Sequence, residues 1–177
     1  FPIIVAAGPN SALPHATPGD RAVQAGEPLL LDWGARLDGY CSDLSRTLVL
    51  GRPDRRFQEV FAVVADAQAR AVEALFHLSS GREVDAVARR HIADAGFPDA
   101  FGHSLGHGTG LDIHEAPRLS PHTDDHLGPG MIVTVEPGIY LEGWGGVRLE
   151  NQVLLTPQGP EILNRLPLAL DMAGSAE

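Results

Sequence analysis

Cysteine is almost absent from this chain. Cys41 stands alone among 177 residues, so no intrachain disulfide can form. That fits a reducing compartment, and the expectation is a cytoplasmic protein. Long apolar runs are missing too: no stretch reaches the roughly 18 consecutive apolar residues of a membrane span. No basic-then-apolar leader is visible, so neither a membrane span nor a signal peptide is expected. Positive charge is scarce. The net charge is −10 and no Lys/Arg cluster is long enough to follow a phosphate backbone, which argues against nucleic acid as a partner. No internal repeat recurs at a period of about 20–50 residues. What is there is an ordinary globular composition, 44% hydrophobic and 20% charged, at the length of one domain. Such a chain buries about two-thirds of its unfolded surface and needs no staples.

Local patterning predicts an α+β domain. Residues 3–7 (IIVAA) read as a short buried strand, broken by Gly8-Pro9-Asn10, and 10–20 as loop. From Pro28 to Leu50 the pattern is a hairpin, with LLLDWGARL running out, Asp38-Gly39 turning and YCSDLSRTLVL returning. Measured from that turn, Asp32 and Asp43 lie at similar depth on opposite arms, which brings both carboxylates to one face. Pro53 and Asp54 open an amphipathic helix whose apolar residues, Phe57 to Leu78, recur at 3–4 spacing and which ends near Ser79-Ser80-Gly81. A second helix spans about 83–95 and stops at Gly96. Residues 101–163 are rich in glycine and short β-like runs: IVTVEPGIYL, GGVRLENQVLLT and EIL. Strands in runs beside separate long helices indicate α+β rather than a βαβ array.

Five separated residues carry the chemistry: Asp32, Asp43, His107, Glu136 and Glu150. Four carboxylates and one imidazole form a hard ligand set, better suited to two divalent cations sharing carboxylates than to one tetrahedral zinc. Each has a plainer alternative. Asp32, in an apolar strand, is costly to bury ionised unless paired or metal-bound, yet backbone donors at a strand end would also satisfy it. Asp43 has Ser42, Ser45 and Arg46 nearby. His107 lies between Gly106 and Gly108, which permit close backbone approach or positive φ. His103 and His114 flank it, three histidines within twelve residues. Glu136 ends an apolar run before Pro137-Gly138 and would otherwise be a solvated strand end. Glu150 alternates with Arg148, so both share a strand face, where a simple ion pair is the bland reading. His15 is a loop histidine. His77 and His91 read as helix-surface or packing residues, and His122 and His126 as a polar loop with room for a weak adventitious metal site.

These residues and their contexts, above all GHGTGLDIHEAP and VEPGIY, resemble the pita-bread (M24) metallopeptidases, the family of methionine aminopeptidase, aminopeptidase P and prolidase. The resemblance covers about residues 3–165. It implies a curved antiparallel sheet covered by helices, and two divalent metal ions, manganese foremost, with cobalt, zinc or iron as alternatives. By resemblance, Asp43 and Glu150 bridge the metals, Asp32 binds one, and His107 and Glu136 bind the other. Arg148, two residues before the last ligand, and GPNSALPHA look like the Xaa-Pro dipeptidase (prolidase) and aminopeptidase P branch.

That branch implies hydrolysis of the bond before proline in a peptide substrate by a hydroxide shared between the metals. Glu136 is then the proton acceptor, His114 a donor to the oxyanion and His103 a contact to the scissile peptide or leaving residue. His15 and Arg148 orient the substrate, with Arg148 either reaching its carboxylate or holding the site's acids. Asn151 and Gln152 stand where an acid is frequent, and Asp112 replaces a common Glu.

The rival readings are a methionine aminopeptidase, separable on Met-Ala against Ala-Pro peptides, and a non-catalytic binding module of the same fold. The metal-free creatinase type is disfavoured because all five ligands are present. The chain opens on Phe1-Pro-Ile-Ile-Val without an initiator Met. The expectation is a C-terminal catalytic domain over residues 1–170 with a tail at 171–177. It would lack the family's first helices and N-terminal domain, pair with that missing part, form a homodimer by resemblance, and possess little or no activity if the missing part is required.

Overall fold

The computed structural model describes residues 1–169, and the tail expected at 171–177 lies outside them. Among the described residues every strand pairing is antiparallel. The first layer holds β1 (Ile4–Ala7), β2 (Pro28–Trp33), a small hairpin of β3 (Arg36–Leu37) and β4 (Tyr40–Cys41), and β5 (Leu44–Val49). β1, β2 and β5 form one sheet in that order. Asp38 and Gly39 both take positive φ, 50° and 90°, as a two-residue type I′ turn requires. The expectation of a buried first strand needs correction. β1 is an edge strand, so alternation tucks Ala6 inside while Ile3 and Val5 stay 56% and 38% exposed. Residues 8–12, expected as a break and loop, form a 3-10 turn (Gly8–Ala12).

Helix α1 (Arg55–Ala74) begins where the Asp54 side chain accepts a hydrogen bond from Phe57 N at 2.7 Å. It stops short of the predicted end. Phe76 and His77 donate to Glu73 and Ala74, tightening the last turn before the chain leaves the helix. Phe57, Val60, Val64, Ala67 and Ala71 form its buried stripe. Helix α2 (Gly81–Asp94) buries Val84, Ala88 and Ile92 against the same core, and Gly96 at φ 96° follows its end. A Cβ on Gly81 would meet the Arg118 carbonyl oxygen at 2.1 Å, so α2 starts pressed directly on a strand.

The remaining strands are β6 (Gly106–Gly108), β7 (Glu115–Leu119), β8 (Ile132–Val135), β9 (Gly138–Leu141), β10 (Gly145–Arg148), β11 (Asn151–Thr156) and β12 (Gly159–Ile162). The two runs read from sequence as continuous are each broken once. β8 and β11 join the five-stranded sheet β12-β11-β8-β6-β7, while β9 and β10 form a separate ladder. The register on both sides, Arg148 opposite Gly138 and Asn151 opposite Val135, places Glu136 across from Glu150 at the break. There the backbone N–H of Glu136 donates to Leu105 O (2.8 Å) and that of Glu150 to Ser45 O (3.1 Å). Each acid thus lies where a long bent hairpin passes from one sheet toward another.

Candidate metal centre

Asp32, Asp43, His107, Glu136 and Glu150 all line one cavity of about 480 Å³, with His15, His103, His114, Arg118 and Arg148. The hairpin register pairs Asp32 with Ser45, so Asp43 lies two residues nearer the turn than Asp32's partner, a diagonal neighbour on the same face. Ligand atoms of Asp43, His107 and Glu150 lie within 4.8 Å of one another.

The plainer alternatives for these acids do not hold. Asp32 has no backbone donor. Its Oδ2 accepts from Arg148 Nη2 at 2.5 Å and its buried Oδ1 has no partner. Asp43 accepts only from Leu44 N at 3.0 Å, with His107 Nε2 3.7 Å away. Ser42 turns toward Ala35 and Ser45 toward Glu150 Oε2 at 2.6 Å. Glu150 is 1% exposed and its Oε1 is unpartnered. The Arg148–Glu150 ion pair does not form, because Arg148 pairs with Asp32. Glu136 is no solvated strand end: Thr134 Oγ1 donates to its Oε1 at 3.0 Å, and His107 Nε2 stands 3.3 Å from the same oxygen.

His107 is held from behind. Its Nδ1 lies 3.0 Å from Gly108 O, which places a proton on Nδ1 and turns Nε2 toward the acids. Its backbone N donates to Thr134 Oγ1 at 3.0 Å. The flanking glycines serve close approach rather than positive φ. A Cβ on Gly106 would sit 1.9 Å from Thr134 O, and one on Gly108 2.3 Å from Ala116 O. His114 meets the His107 ring edge-on at 4.3 Å between centroids.

Of the two placements expected for Arg148, the geometry favours the inward one. Four of its five N–H groups go to protein: Nε to Ser45 Oγ (3.0 Å), Nη1 to Tyr140 OH (2.9 Å) and Pro14 O (3.1 Å), and Nη2 to Asp32. His103 Nδ1 faces Ser104 O and its Nε2 faces Tyr140 OH, both at 2.8 Å. Tyr140 therefore links His103 to Arg148, a role that VEPGIY contained without revealing. Behind Glu150, fully buried Arg46 has all five N–H groups satisfied. They reach Ser45 O, Glu150 O, Asn151 Oδ1, Leu166 O and Pro167 O.

The electrostatics are those of crowded acids. Burial and the neighbouring Asp32 and Glu136 charges push Asp43 up to about 7. Burial, then Glu136 and Asp43, raise Glu150 well above the usual carboxylate range. Burial also raises Asp32, against the pull of Arg148. Burial would raise Glu136 as well, but its hydrogen bond to His107 and the charges of His107 and Arg148 hold it below its ordinary value. Burial lowers His103 and, with His107 nearby, His114, keeping both rings neutral. Unpartnered buried carboxylate oxygens on Asp32 and Glu150, raised acids and an imidazole Nε2 turned toward them are what a cation site of hard donors requires. The residues fit divalent metal.

Sequence reasoning did not find Arg118, Tyr140 or Thr134, and it placed Ser45 beside Asp43, whereas Ser45 donates to Glu150. Arg118 lines the cavity with its side chain exposed, and its backbone N donates to Asp125 Oδ2 at 2.7 Å. His77, His122 and His126 are exposed, and His91 pairs with Asp66 at 3.1 Å. Among the described residues, no group of three possible ligands forms around His122 and His126.

The profile of metallopeptidase family M24 matches residues 1–157. The chain is 44% identical over 165 residues to an Xaa-Pro dipeptidase of Pyrococcus furiosus, covering 93% of this chain and 47% of that protein. It is 45% identical over 170 residues to the uncharacterized peptidase YqhT of Bacillus subtilis, covering 96% and 48%. The structure superposes on an X-Pro aminopeptidase from Thermotoga maritima with a TM-score of 0.91 at 43% identity, covering 96% of this chain and 48% of that one. The chain thus spans about half the length of the relatives it matches, with the pita-bread fold expected from its sequence.

Proposed function

This chain belongs to metallopeptidase family M24, and from that membership and the cavity's geometry we propose that it hydrolyses the peptide bond before proline. The observation that carries the proposal is the convergence of four acids and one imidazole on one cavity, with two buried carboxylate oxygens left unpartnered. Asp32, Asp43, His107, Glu136 and Glu150 would hold two divalent cations, of which manganese is the first candidate. Such ions, when bound, lower the pKa of water toward neutrality and polarise a carbonyl oxygen.

The chain's own residues supply the rest. Glu136, held ionised at neutral pH, accepts the proton of the attacking water and passes it to the leaving proline nitrogen. His114, neutral and at the cavity mouth, donates a hydrogen bond to the developing oxyanion. His103 contacts the scissile peptide, and exposed His15 lines the cavity from the loop after β1. Phe1, Ile4, Pro14 and Pro18 give one wall an apolar surface for a proline ring. Arg148 lies inward, so among the described residues lining the cavity Arg118 is placed to meet a substrate carboxylate. That favours dipeptides, whose carboxylate follows the scissile bond by one residue.

The test is hydrolysis of Ala-Pro, Ala-Pro-Ala and Met-Ala by the Mn²⁺-loaded chain. Cleavage of Ala-Pro above the other two is expected, and equilibrium dialysis should give two metals per chain. Cleavage of the tripeptide alone would move the reading to an aminopeptidase P, and of Met-Ala alone to a methionine aminopeptidase. Two bound metals without turnover would refute activity of this chain by itself.

A further inference from the structure

Helix α2 carries a half-buried ion pair that the proposed chemistry does not use. Asp85 is 0% exposed, and Arg89, one turn on, grips it with Nε on Oδ2 and Nη2 on Oδ1, both at 2.8 Å. The pair does more than close on itself. Arg89 Nη1 donates to Phe101 O at 2.7 Å and Nη2 to His103 O at 2.8 Å, while Leu105 N donates to Asp85 Oδ1 at 3.0 Å. The Arg89 guanidinium also lies over the Phe101 ring, 4.4 Å from its centroid, and Phe101 in turn meets the His103 ring edge-on at 5.0 Å. Three alternate residues are therefore held in a stretch, 101–105, that has no helix or strand of its own.

The far side of that stretch faces the cavity. The His103 ring reaches Tyr140 OH, and the Leu105 carbonyl receives the backbone N–H of Glu136. We propose that Asp85 and Arg89 are a positioning pair: through the 101–105 segment they hold His103 in one ring orientation and tautomer against Tyr140, without touching substrate themselves. A planar fork is needed for this, because one guanidinium serves two carboxylate oxygens and two carbonyls at once. A lysine keeps the charge but cannot reproduce that geometry.

The kinetic consequence rests on the function proposed above, so the experiment has one arm that does not. In ¹⁵N-histidine spectra of the full chain, with His103 assigned from the spectrum of His103→Gln, the wild type should show a single neutral Nδ1–H tautomer. Arg89→Met, and Arg89→Lys as the milder variant should the first not fold, should show averaged tautomers. In the second arm Mn²⁺ affinity should stay within about threefold of wild type, because no ligand is touched. At the same time kcat/KM for Ala-Pro should fall about 10–100-fold, the range seen when outer-shell support is lost. Arg89→Lys should not restore it. An unchanged His103 spectrum in either variant overturns the inference. So does full rescue by lysine, and so does a loss of metal affinity matching the loss of turnover. A wild type without turnover refutes the proposed function and leaves the spectra to decide this one.

Discussion

Neutralising Asp43 should stabilise the metal-free chain at alkaline pH and leave it unable to gain from metal. Below its ordinary value of 3.8, Asp43 is protonated whether the chain is folded or not, and it imposes no cost. Between there and about 7 the unfolded chain releases the proton while the folded chain retains it, so stability falls as pH rises. Above about 7 the folded carboxylate is ionised as well, and the full penalty persists. At about 1.4 kcal/mol per pH unit over about three units, that penalty is about 4 kcal/mol. His103 and His114, whose values are lowered, work in the opposite direction at acid pH, so the effect is read as a difference between chains rather than from wild type alone. Urea unfolding in EDTA, wild type beside Asp43→Asn, should give a stability difference that moves in the variant's favour by about 4 kcal/mol from about pH 4 to pH 8, with matching m-values. Adding Mn²⁺ at pH 8 should invert the order, since only the intact site gains by mass action. A difference constant with pH to within about 1 kcal/mol would refute the reasoning that buried, mutually repelling acids raise Asp43.

Arg148→Met leaves Asp32 as an unpaired buried charge, and the metal-free chain should lose about 3–5 kcal/mol in the same urea assay. Arg118→Ala should raise KM for Ala-Pro about tenfold or more, with kcat little changed and no effect on Ala-Pro amide, which has no carboxylate to meet. Gly106→Ala places a methyl 1.9 Å from a backbone oxygen, so calorimetry should record a Tm fall of about 10 °C or more and weaker Mn²⁺ binding. Asp54→Ala removes the α1 cap and should cost about 1 kcal/mol with no change in metal affinity.

The elements that depend on local chemistry were legible in the sequence. The Asp38-Gly39 turn set the hairpin register, and that register made Asp32 and Asp43 neighbours. The 3–4 spacing from Phe57 to Ala71 gave α1, with Asp54 marking its start. Less visible was the break that turns IVTVEPGIYL and GGVRLENQVLLT into four strands. The break is set by Leu105 and Ser45, which take the two glutamate N–H groups from far along the chain. Tyr140 and Thr134 read as strand residues until pairing brought them beside His103 and His107. Arg118 carried no signal at all, because only the fold shows that Arg148 lies inward and Arg118 does not.

The bent hairpin has a consequence for how this molecule comes apart. Glu136 and Glu150 face each other where two ladders meet, and one anchors its backbone to the 101–105 segment while the other anchors to β5. Among the described residues, the two ladders alone therefore do not fix both glutamates. An opening that separates β5 from the β10–β11 bend disconnects Glu150, and one that frees the 101–105 segment disconnects Glu136. Each amide should exchange with solvent through its own opening, and a cation seated between the two glutamates would act as a rivet through the joint.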